Sequence, residues 1–314
     1  MRILVVGAGA IGGYFGGRLL KAGRDATFLV RPRRAAELAR NGLVIRSKLG
    51  DLDLAAPPTI AADKLREPFD LVLLSCKSYD LDGAIESFAP AVGPQTAILP
   101  LLNGMRHVDI LEKRFGAAAV LGGQCVISSV LDAEGRILHL NDTHTVTFGE
   151  RDGQQSVRTE AIEKALSNAG FEARATGTIL QEMWEKWMFI AAGVGITCLM
   201  RATIGDIVAG GGGDLATAMY DECATIAARH GFAPRPAAVQ RSHAMFTAAS
   251  SPFTASMFRD IERGAPIEAD HVVGDLLQRG GEQPPTALLR TAYVHLKAYE
   301  ARRTREAATA AKAA

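Results

Sequence analysis

Three glycines near the start of the chain have the spacing of a loop that binds phosphates. Gly7, Gly9 and Gly12 form the pattern GxGxxG directly after the apolar run Ile3–Val6. In such a loop the first glycine permits a tight turn, the second lets backbone approach a pyrophosphate, and the third lets the next helix pack on the strand. The pattern predicts a dinucleotide site; a purely structural turn is the alternative. The residues predicted to contact the dinucleotide are Gly7, Gly9, Ala10, Ile11 and Gly12.

Basic residues follow the second predicted strand, residues 26–30, where such a domain selects between NAD and NADP. An NAD site places Asp or Glu there to hold the ribose 2′-hydroxyl. This chain has Arg31 instead, with Arg33 and Arg34 close behind. Because a guanidinium can bind a 2′-phosphate through two hydrogen bonds, Arg31 predicts NADP(H). At least one of Arg33 and Arg34 is expected to be a solvated residue at a helix start.

Two polar residues follow later apolar strands. Lys77 comes after the run at residues 69–76, and Asn103 comes after the run at residues 96–102. Ligands of a parallel sheet bind at the carboxyl ends of its strands, so both residues are predicted to contact the cofactor. The alternatives are a surface lysine and a turn asparagine.

The second half of the chain carries a lysine between two tryptophans. Lys186 lies between Trp184 and Trp187 in a predicted helix that becomes apolar immediately afterwards. Partial removal of its ammonium from water would lower the pKa of Lys186 and suit it to act as a general acid. The alternative is a lysine whose aliphatic stem covers apolar surface.

A second polar group lies further along the chain. Ser256 and Asp260 are four residues apart and share a helix face. Glu268 follows a Gly-Ala-Pro break and begins another predicted helix, where the helix dipole favours a carboxylate. Taken alone, Glu268 is an ordinary charge at a helix start.

The order of predicted elements indicates how these residues are positioned. Strands and helices alternate through the first half, which predicts an α/β, doubly wound Rossmann sheet over residues 1–177. Alternating segments within residues 119–149 are expected to add antiparallel strands to the edge of that sheet. Residues 178–314 predict an all-α helical domain for substrate binding and catalysis. The alanine-rich end, residues 301–314, is expected to be solvated and to fray.

Composition excludes several classes of protein. The 314 residues are 48% apolar and carry a formal net charge of +1, with no long basic block, so nucleic acid is not an expected partner. The four cysteines are far apart and predict reduced thiols and no metal site. No signal peptide is evident, and no apolar stretch reaches the roughly 20 residues of a membrane helix. We therefore expect a cytoplasmic protein with no membrane partner.

These motifs together resemble the ketopantoate reductase (2-dehydropantoate reductase) family. The order GAGAIGGYFGG, LVR, CKSYD, LLNGM, WEKW and SMFRDIERGAPIEAD matches the family over nearly the whole chain. The resemblance implies an NADP-binding Rossmann domain joined to a helical domain, with the active site in the cleft between them. It implies that Lys186 donates a proton to the substrate carbonyl and that Glu268 hydrogen-bonds the developing hydroxyl. The other implied contacts are Ser256 to the substrate carboxylate, Asn103 near nicotinamide and Lys186, and Arg31 and Lys77 to the NADP phosphates.

Three positions depart from the family pattern. Ile190 and Val194 stand one and two helical turns after Lys186, where the family has asparagines, and Phe253 stands where it often has another. Apolar groups there remove hydrogen-bond partners of a polar substrate. Ketopantoate, reduced in pantothenate and coenzyme A biosynthesis, is therefore one expected substrate, and a more apolar 2-oxo or 3-oxo acid is another. A non-catalytic NADP(H)-binding sensor is a third alternative, and a homodimer is plausible.

Overall fold

The structure is a computed structural model that describes residues 1–281 and 287–313. It divides into two compact units. The first contains Met1–Leu102 and His107–Leu180, and the second contains Asn103–Arg106 and the chain from Gln181 onward. The assignment of cofactor binding to residues 1–177 and of catalysis to residues 178–314 stays a prediction.

A parallel sheet forms the centre of the first unit. Strands β5, β2, β1, β6 and β7 lie in that order, and every neighbouring pair is parallel. Strands β1 and β6 are buried along their whole length, as expected of a sheet covered on both faces. The predicted Rossmann sheet is confirmed. The strands of this unit are β1 (Ile3–Val6), β2 (Ala26–Leu29), β3 (Leu43–Arg46), β4 (Leu52–Leu54), β5 (Thr59–Ile60), β6 (Leu71–Leu74), β7 (Ala97–Pro100), β8 (Gly122–Leu131), β9 (Ile137–Gly149) and β10 (Glu172–Ala175).

The remaining strands form a second sheet. Its order is β10, β9, β3 and β4, and β8 pairs antiparallel with β9. The antiparallel strands predicted within residues 119–149 are confirmed as β8 and β9. The prediction that they extend the edge of the first sheet is wrong, although Val120 forms an isolated bridge with Ile98 of β7. Strand β9, which has 13 residues, pairs instead with the hairpin of β3 and β4 through Ile45 and Ile137. That hairpin already presents an open edge, so β9 completes a separate sheet.

Helices make up the second unit, as predicted. Helix α6 spans 22 residues and is buried over most of its length, with Trp187, Met188 and Cys198 almost inaccessible. A π-helical turn, Asp270–Gly274, leads into α11. The helices of the chain are α1 (Ala10–Lys21), α2 (Pro32–Asn41), α3 (Leu81–Phe88), α4 (Arg106–Phe115), α5 (Val157–Leu166), α6 (Ile179–Met200), α7 (Ile204–Ala209), α8 (Gly213–Arg229), α9 (Pro236–Phe246), α10 (Ser256–Glu262), α11 (Asp275–Gly280) and α12 (Ala287–Ala313).

The alanine-rich end of the chain continues helix α12. The expectation of fraying is wrong for residues 301–313, which continue the helix, whereas the expected exposure to solvent is confirmed for residues 301–311. Alanine, arginine, glutamate and lysine are strong helix formers, which explains why this exposed stretch stays helical. The sequence pattern predicts that this helix begins at Thr286, a residue that lies outside the described residues. Across residues 1–281 and 287–313, every helix is too short or too polar to cross a membrane.

Candidate active site

The glycine loop between β1 and α1 needs each glycine for a different reason. Gly7 has a φ of +92°, a left-handed conformation that only glycine adopts easily. A Cβ on Gly12 would lie 2.1 Å from the Ser75 hydroxyl and 2.3 Å from the Gly7 carbonyl. A Cβ on Gly9 would meet no atom within 4 Å. The protein therefore leaves open space beside Gly9, at the first turn of α1, where the sequence predicts a pyrophosphate.

The predicted cofactor residues of the first unit lie along one edge of the sheet. Strands β1, β2 and β6 pair in register along their whole length and so end together. Gly7, Arg31 and Lys77 each follow the end of one of these strands within three residues. The fold thus brings the glycine loop and two cationic side chains to a single edge, where parallel sheets bind ligands.

Arg31 is held at this edge by an ion pair. The residue occupies the N-cap position of α2, and its guanidinium donates a hydrogen bond of 2.6 Å to the Asp80 carboxylate. This bond and the charge of Asp80 hold the pKa of Arg31 above its ordinary value. The side chain is 72% exposed. Since a guanidinium carries five N–H donors, the bond to Asp80 leaves Arg31 able to bind a phosphate as well.

Arg33 and Arg34 have different environments. The Arg33 side chain is 91% exposed and makes only a loose pair with Glu37, at 3.7 Å. The Arg34 side chain is 17% exposed, and its Nε donates to the Ala8 carbonyl at 3.0 Å. The expectation of one solvated arginine is confirmed for Arg33. Arg34 instead supports the backbone of the glycine loop.

In the second unit, Lys186 lies on a section of α6 that is fixed by aromatic packing. Trp184 and Trp187 are 3% and 1% exposed, and their ring centres are 5.0 Å apart. Trp184 also stacks on His230 and Phe232, each at 5.4 Å. Lys186, which stands between these two tryptophans in the sequence, is itself half-buried. The position of its backbone is therefore set by a rigid aromatic layer.

The carboxylate next to Lys186 is committed to another partner. Glu185 accepts hydrogen bonds from Arg235 Nε at 2.8 Å and from Arg235 Nη2 at 2.6 Å. Burial alone would raise the pKa of Glu185, but the bonds from Arg235 and Gln181 hold it below its ordinary value. Glu185 therefore stays ionised and paired at neutral pH.

A hydrogen bond joins the helix of Lys186 to the segment of Glu268. The Trp187 indole donates from Nε1 to the carbonyl of Val272 at 2.8 Å. Val272 lies in the π-helical turn that follows Glu268, and its own N–H donates to the Glu268 carbonyl at 3.0 Å. The backbone of Glu268 is therefore linked through Val272 to the helix that carries Lys186.

Asn103 belongs to the same unit and lies beside the same turn. The His271 imidazole donates a hydrogen bond to the backbone carbonyl of Asn103, and Glu268 is among the charged groups acting on His271. A Cβ on Gly104 would lie 2.9 Å from the His271 carbonyl. The fold thus brings Asn103, His271 and Glu268 into one neighbourhood.

Ser256 is the first residue of α10 and is exposed. The segment before it is tied to two other helices. The Ala255 N–H donates to the Thr197 hydroxyl of α6 at 3.3 Å, and the Phe253 carbonyl accepts from Ile204 of α7 at 3.1 Å. Thr197 and Lys186 share one helix, so α6 also sets the position of Ser256.

The three apolar departures from the family pattern lie on or against α6. Ile190 is half-buried and Val194 is 2% exposed. Phe253 packs on Gly193, where a Cβ would lie 3.1 Å from the ring, and its centre is 5.5 Å from that of Phe189. The helix face that follows Lys186 is therefore apolar.

Two residues of this site are absent from the sequence-based set. In the sequence, Arg34 differs from Arg33 only in its position one residue later on α2. That position directs the Arg34 side chain toward the glycine loop. His271 gives almost no signal, because a lone histidine in a helical pattern is usually a core residue. Its proximity to Asn103 depends on a contact across 168 residues of sequence, which no local pattern encodes.

Comparison with known proteins agrees with this arrangement. The family model described as "Ketopantoate reductase PanE/ApbA" matches residues 3–153, and its C-terminal counterpart matches residues 178–300. The uncharacterised oxidoreductase YkpB of Bacillus subtilis (strain 168) is 39% identical over 303 residues, which cover 96% of this chain and 99% of YkpB.

Solved structures share the fold. The crystal structure of 2-dehydropantoate 2-reductase from Geobacter metallireducens GS-15 is 27% identical, with a TM-score of 0.85 over 95% of this chain and 99% of that one. D-mandelate dehydrogenase, solved with NADH and anilino(oxo)acetate, is 19% identical, with a TM-score of 0.86 over 97% of this chain and 100% of that one. At this identity the similarity shows the common fold alone. This chain belongs to the ketopantoate reductase family, whose members are oxidoreductases that act on a CH–OH group with a nicotinamide cofactor.

Proposed function

We propose that this protein uses NADPH to reduce the carbonyl group of a 2-oxo acid, with ketopantoate as the first candidate substrate. When bound, the cofactor supplies the hydride that reaches the carbonyl carbon. The observation that carries the proposal is the hydrogen bond from Trp187 to Val272, because it fixes the helix of Lys186 against the segment of Glu268. An acid and an orienting carboxylate are the two groups that this reduction requires of the protein.

Lys186 is the proposed general acid. Its ammonium donates a proton to the carbonyl oxygen as negative charge develops there, and the oxygen becomes the product hydroxyl. The neighbouring Glu185 is paired with Arg235, so it does not compete for the Lys186 ammonium. The rigid layer of Trp184 and Trp187 limits the positions that the ammonium can reach.

Three further residues complete the proposed substrate site. Glu268 accepts a hydrogen bond from the developing hydroxyl and so orients it. Ser256, exposed at the start of α10, donates its hydroxyl to the substrate carboxylate. Asn103 places its carboxamide near the nicotinamide and Lys186. All three residues and Lys186 lie in the same compact unit.

NADPH is the proposed cofactor because of the cationic edge of the first unit. Arg31 binds the 2′-phosphate, and Lys77 reaches another phosphate of the cofactor. The residue that an NAD site would make acidic is Arg31 itself. Asp80 pairs with Arg31 at 2.6 Å and holds the guanidinium in place. Ala10 and Ile11 contribute N–H groups of the first turn of α1 to the pyrophosphate.

The apolar face of α6 favours a second candidate substrate. Ile190, Val194 and Phe253 offer no side-chain hydrogen bond, whereas ketopantoate carries a hydroxyl that needs one. An unmet substrate hydroxyl costs about 1–3 kcal/mol in such a pocket. A more apolar 2-oxo or 3-oxo acid would lose nothing there. Reduction of ketopantoate would place the protein in pantothenate biosynthesis, and we expect a cytoplasmic homodimer in either case.

The experiment that tests the proposal is NADPH oxidation followed at 340 nm with ketopantoate and a panel of apolar 2-oxo and 3-oxo acids. A kcat/KM for ketopantoate of about 10⁴ M⁻¹s⁻¹ or more, well above the panel, is the expected result. A better panel member would replace ketopantoate and leave the chemistry intact. Tight NADPH binding without turnover of any substrate would contradict the proposal and favour a binding-only sensor.

A further inference from the structure

His271 occupies an unusual place in the second unit. It lies in the π-helical turn that follows Glu268, and it is only 6% exposed. A π turn inserts one residue more than an α turn and so redirects the side chains around it. A buried imidazole must also satisfy its polar nitrogens within the protein. Both features indicate a specific task for this side chain rather than the filling of space.

The turn after Asn103 packs directly on His271. The imidazole donates a hydrogen bond to the Asn103 carbonyl. Gly104 has a φ of +80°, and a Cβ there would lie 2.9 Å from the His271 carbonyl and 3.4 Å from His271 Cδ2. No larger residue fits between the two segments. The contact therefore fixes both the distance and the orientation of the Asn103 peptide relative to the π turn.

The π turn is itself anchored from other sides, so it can serve as a reference point. Trp187 holds the carbonyl of Val272. On α12, the Tyr293 hydroxyl donates to Asp270 at 2.7 Å and the Lys297 ammonium donates to it at 2.9 Å. A Cβ on Gly274 would lie 2.9 Å from the Tyr293 ring, so this contact is also close. Because the π turn is fixed, His271 can hold the Asn103 peptide in a fixed position.

The charges around His271 favour a neutral ring with fixed tautomer. Burial lowers the pKa of His271, and this effect outweighs the carboxylates of Glu268 and Asp275, while Arg106 lowers it further. In a neutral imidazole one nitrogen donates and the other accepts. The N–H of the neutral ring is directed at the Asn103 carbonyl, so the hydrogen bond holds the two segments together.

We propose that His271 is a positioning residue that holds the Asn103 turn in register with the Glu268 turn. The Asn103 carboxamide and the Glu268 carboxylate are then presented to the substrate in one fixed geometry. The inference rests on the proposed function, which assigns both residues to the substrate site. Nothing in the reduction requires His271 to touch the substrate or to transfer a proton.

The test compares three substitutions of His271. His271→Phe keeps the ring volume but removes the donor, whereas His271→Asn and His271→Gln each place an amide N–H near one of the two ring nitrogens. We expect His271→Phe to lower kcat by about 10- to 100-fold, because a displacement of about 1 Å has that effect on reactive geometry. At least one amide variant should recover kcat to within about 3-fold of wild type. The Kd for NADPH should stay unchanged in all three.

His295→Phe is the matched control. His295 is a half-buried histidine of the same unit that hydrogen-bonds the backbone of Cys198, three turns beyond Lys186 on α6. Its replacement should leave kcat unchanged. A His271→Phe enzyme with wild-type kcat would overturn the inference, and so would equal losses in the Phe, Asn and Gln variants. The wild-type enzyme separates the two levels: if it oxidises NADPH with none of the substrates, the proposed function fails, whereas a His271→Phe enzyme with wild-type kcat overturns the inference about His271 alone.

Discussion

The Trp187 indole donates a hydrogen bond of 2.8 Å to the Val272 carbonyl and so joins the helix of Lys186 to the turn that follows Glu268. Trp187 is 1% exposed, so water cannot replace this bond. Two residues 82 positions apart in the sequence, Lys186 and Glu268, therefore belong to elements with a fixed mutual position. In the proposed reaction, this relationship holds the lysine and the carboxylate that act on one carbonyl oxygen.

Removal of this bond should weaken both stability and catalysis. Trp187→Phe leaves the Val272 carbonyl buried without its donor, which should lower the free energy of unfolding by about 1–3 kcal/mol. We expect kcat to fall as well, since the elements of Lys186 and Glu268 lose their link. Trp184→Phe is the control, because its stacking on His230 and Phe232 survives the change. Equal kcat values for the two variants would contradict the assigned role of Trp187.

Alanine substitutions of the three arginines after β2 should have different effects on the KM values for NADPH and NADH. Arg31→Ala removes the proposed partner of the 2′-phosphate and should raise KM for NADPH by about 10- to 100-fold, with KM for NADH unchanged. Arg34→Ala removes the support of the Ala8 carbonyl and should weaken both cofactors alike. Arg33→Ala, at a side chain that is 91% exposed, should change neither. Parallel KM measurements with both cofactors decide the matter, and an Arg31→Ala enzyme that loses NADH equally would refute the 2′-phosphate role.

Alanine at two of the loop glycines should have opposite consequences. Gly12→Ala puts a Cβ 2.1 Å from the Ser75 hydroxyl and should destabilise the protein by about 1–3 kcal/mol through overpacking. Gly9→Ala meets no protein atom within 4 Å, so its thermal midpoint should stay close to wild type. Its methyl group would nevertheless occupy the space proposed for the pyrophosphate, and NADPH binding should be lost. Normal NADPH affinity in Gly9→Ala would show that the cofactor phosphates lie elsewhere.

Acid should destabilise the first unit through His144. Its Nδ1 lies 2.7 Å from the Tyr14 hydroxyl, and burial, then the nearby His139 and Arg18, lower the pKa of His144 despite Glu172. In the unfolded chain His144 binds a proton near pH ~6.5, whereas in the folded chain it binds this proton only at a lower pH. The contribution of neutral His144 to the free energy of unfolding is therefore complete above that pH and decreases as the pH falls below it.

Thermal midpoints measured from pH 7.5 to 5 provide the check on His144. The wild-type midpoint should fall with decreasing pH, and His144→Gln should reduce the slope because the glutamine does not titrate. Identical slopes for wild type and His144→Gln would contradict the assignment.

Local sequence predicts the parts of this protein that local chemistry determines. The glycine spacing, the arginine after β2 and the apolar runs of β1 and β6 predict the Rossmann sheet and its binding edge. The second sheet could not be predicted, because β9 pairs with β3 across about 90 residues of sequence. The contact of His271 with Asn103 and the separate environments of Arg33 and Arg34 depend in the same way on tertiary packing.

The helical end of the chain shows a different limit of sequence-based prediction. The alanine-rich composition of residues 301–314 predicts a solvated end that frays. High helix propensity and continuity with α12 are sufficient to extend the helix to Ala313. An alanine-rich composition therefore predicts exposure to solvent better than it predicts loss of helix.

The measurement that tests the central claim most directly is the turnover of Lys186→Ala with its best substrate, together with its affinity for NADPH. A general acid contributes about 10²- to 10⁴-fold, so kcat should fall by that factor while the NADPH Kd stays within about 2-fold of wild type. Lys164→Ala, an exposed lysine of α5, is the control and should retain full kcat. A Lys186→Ala enzyme that reduces its substrate at the wild-type rate would contradict the account, because no proton donor would then be missing.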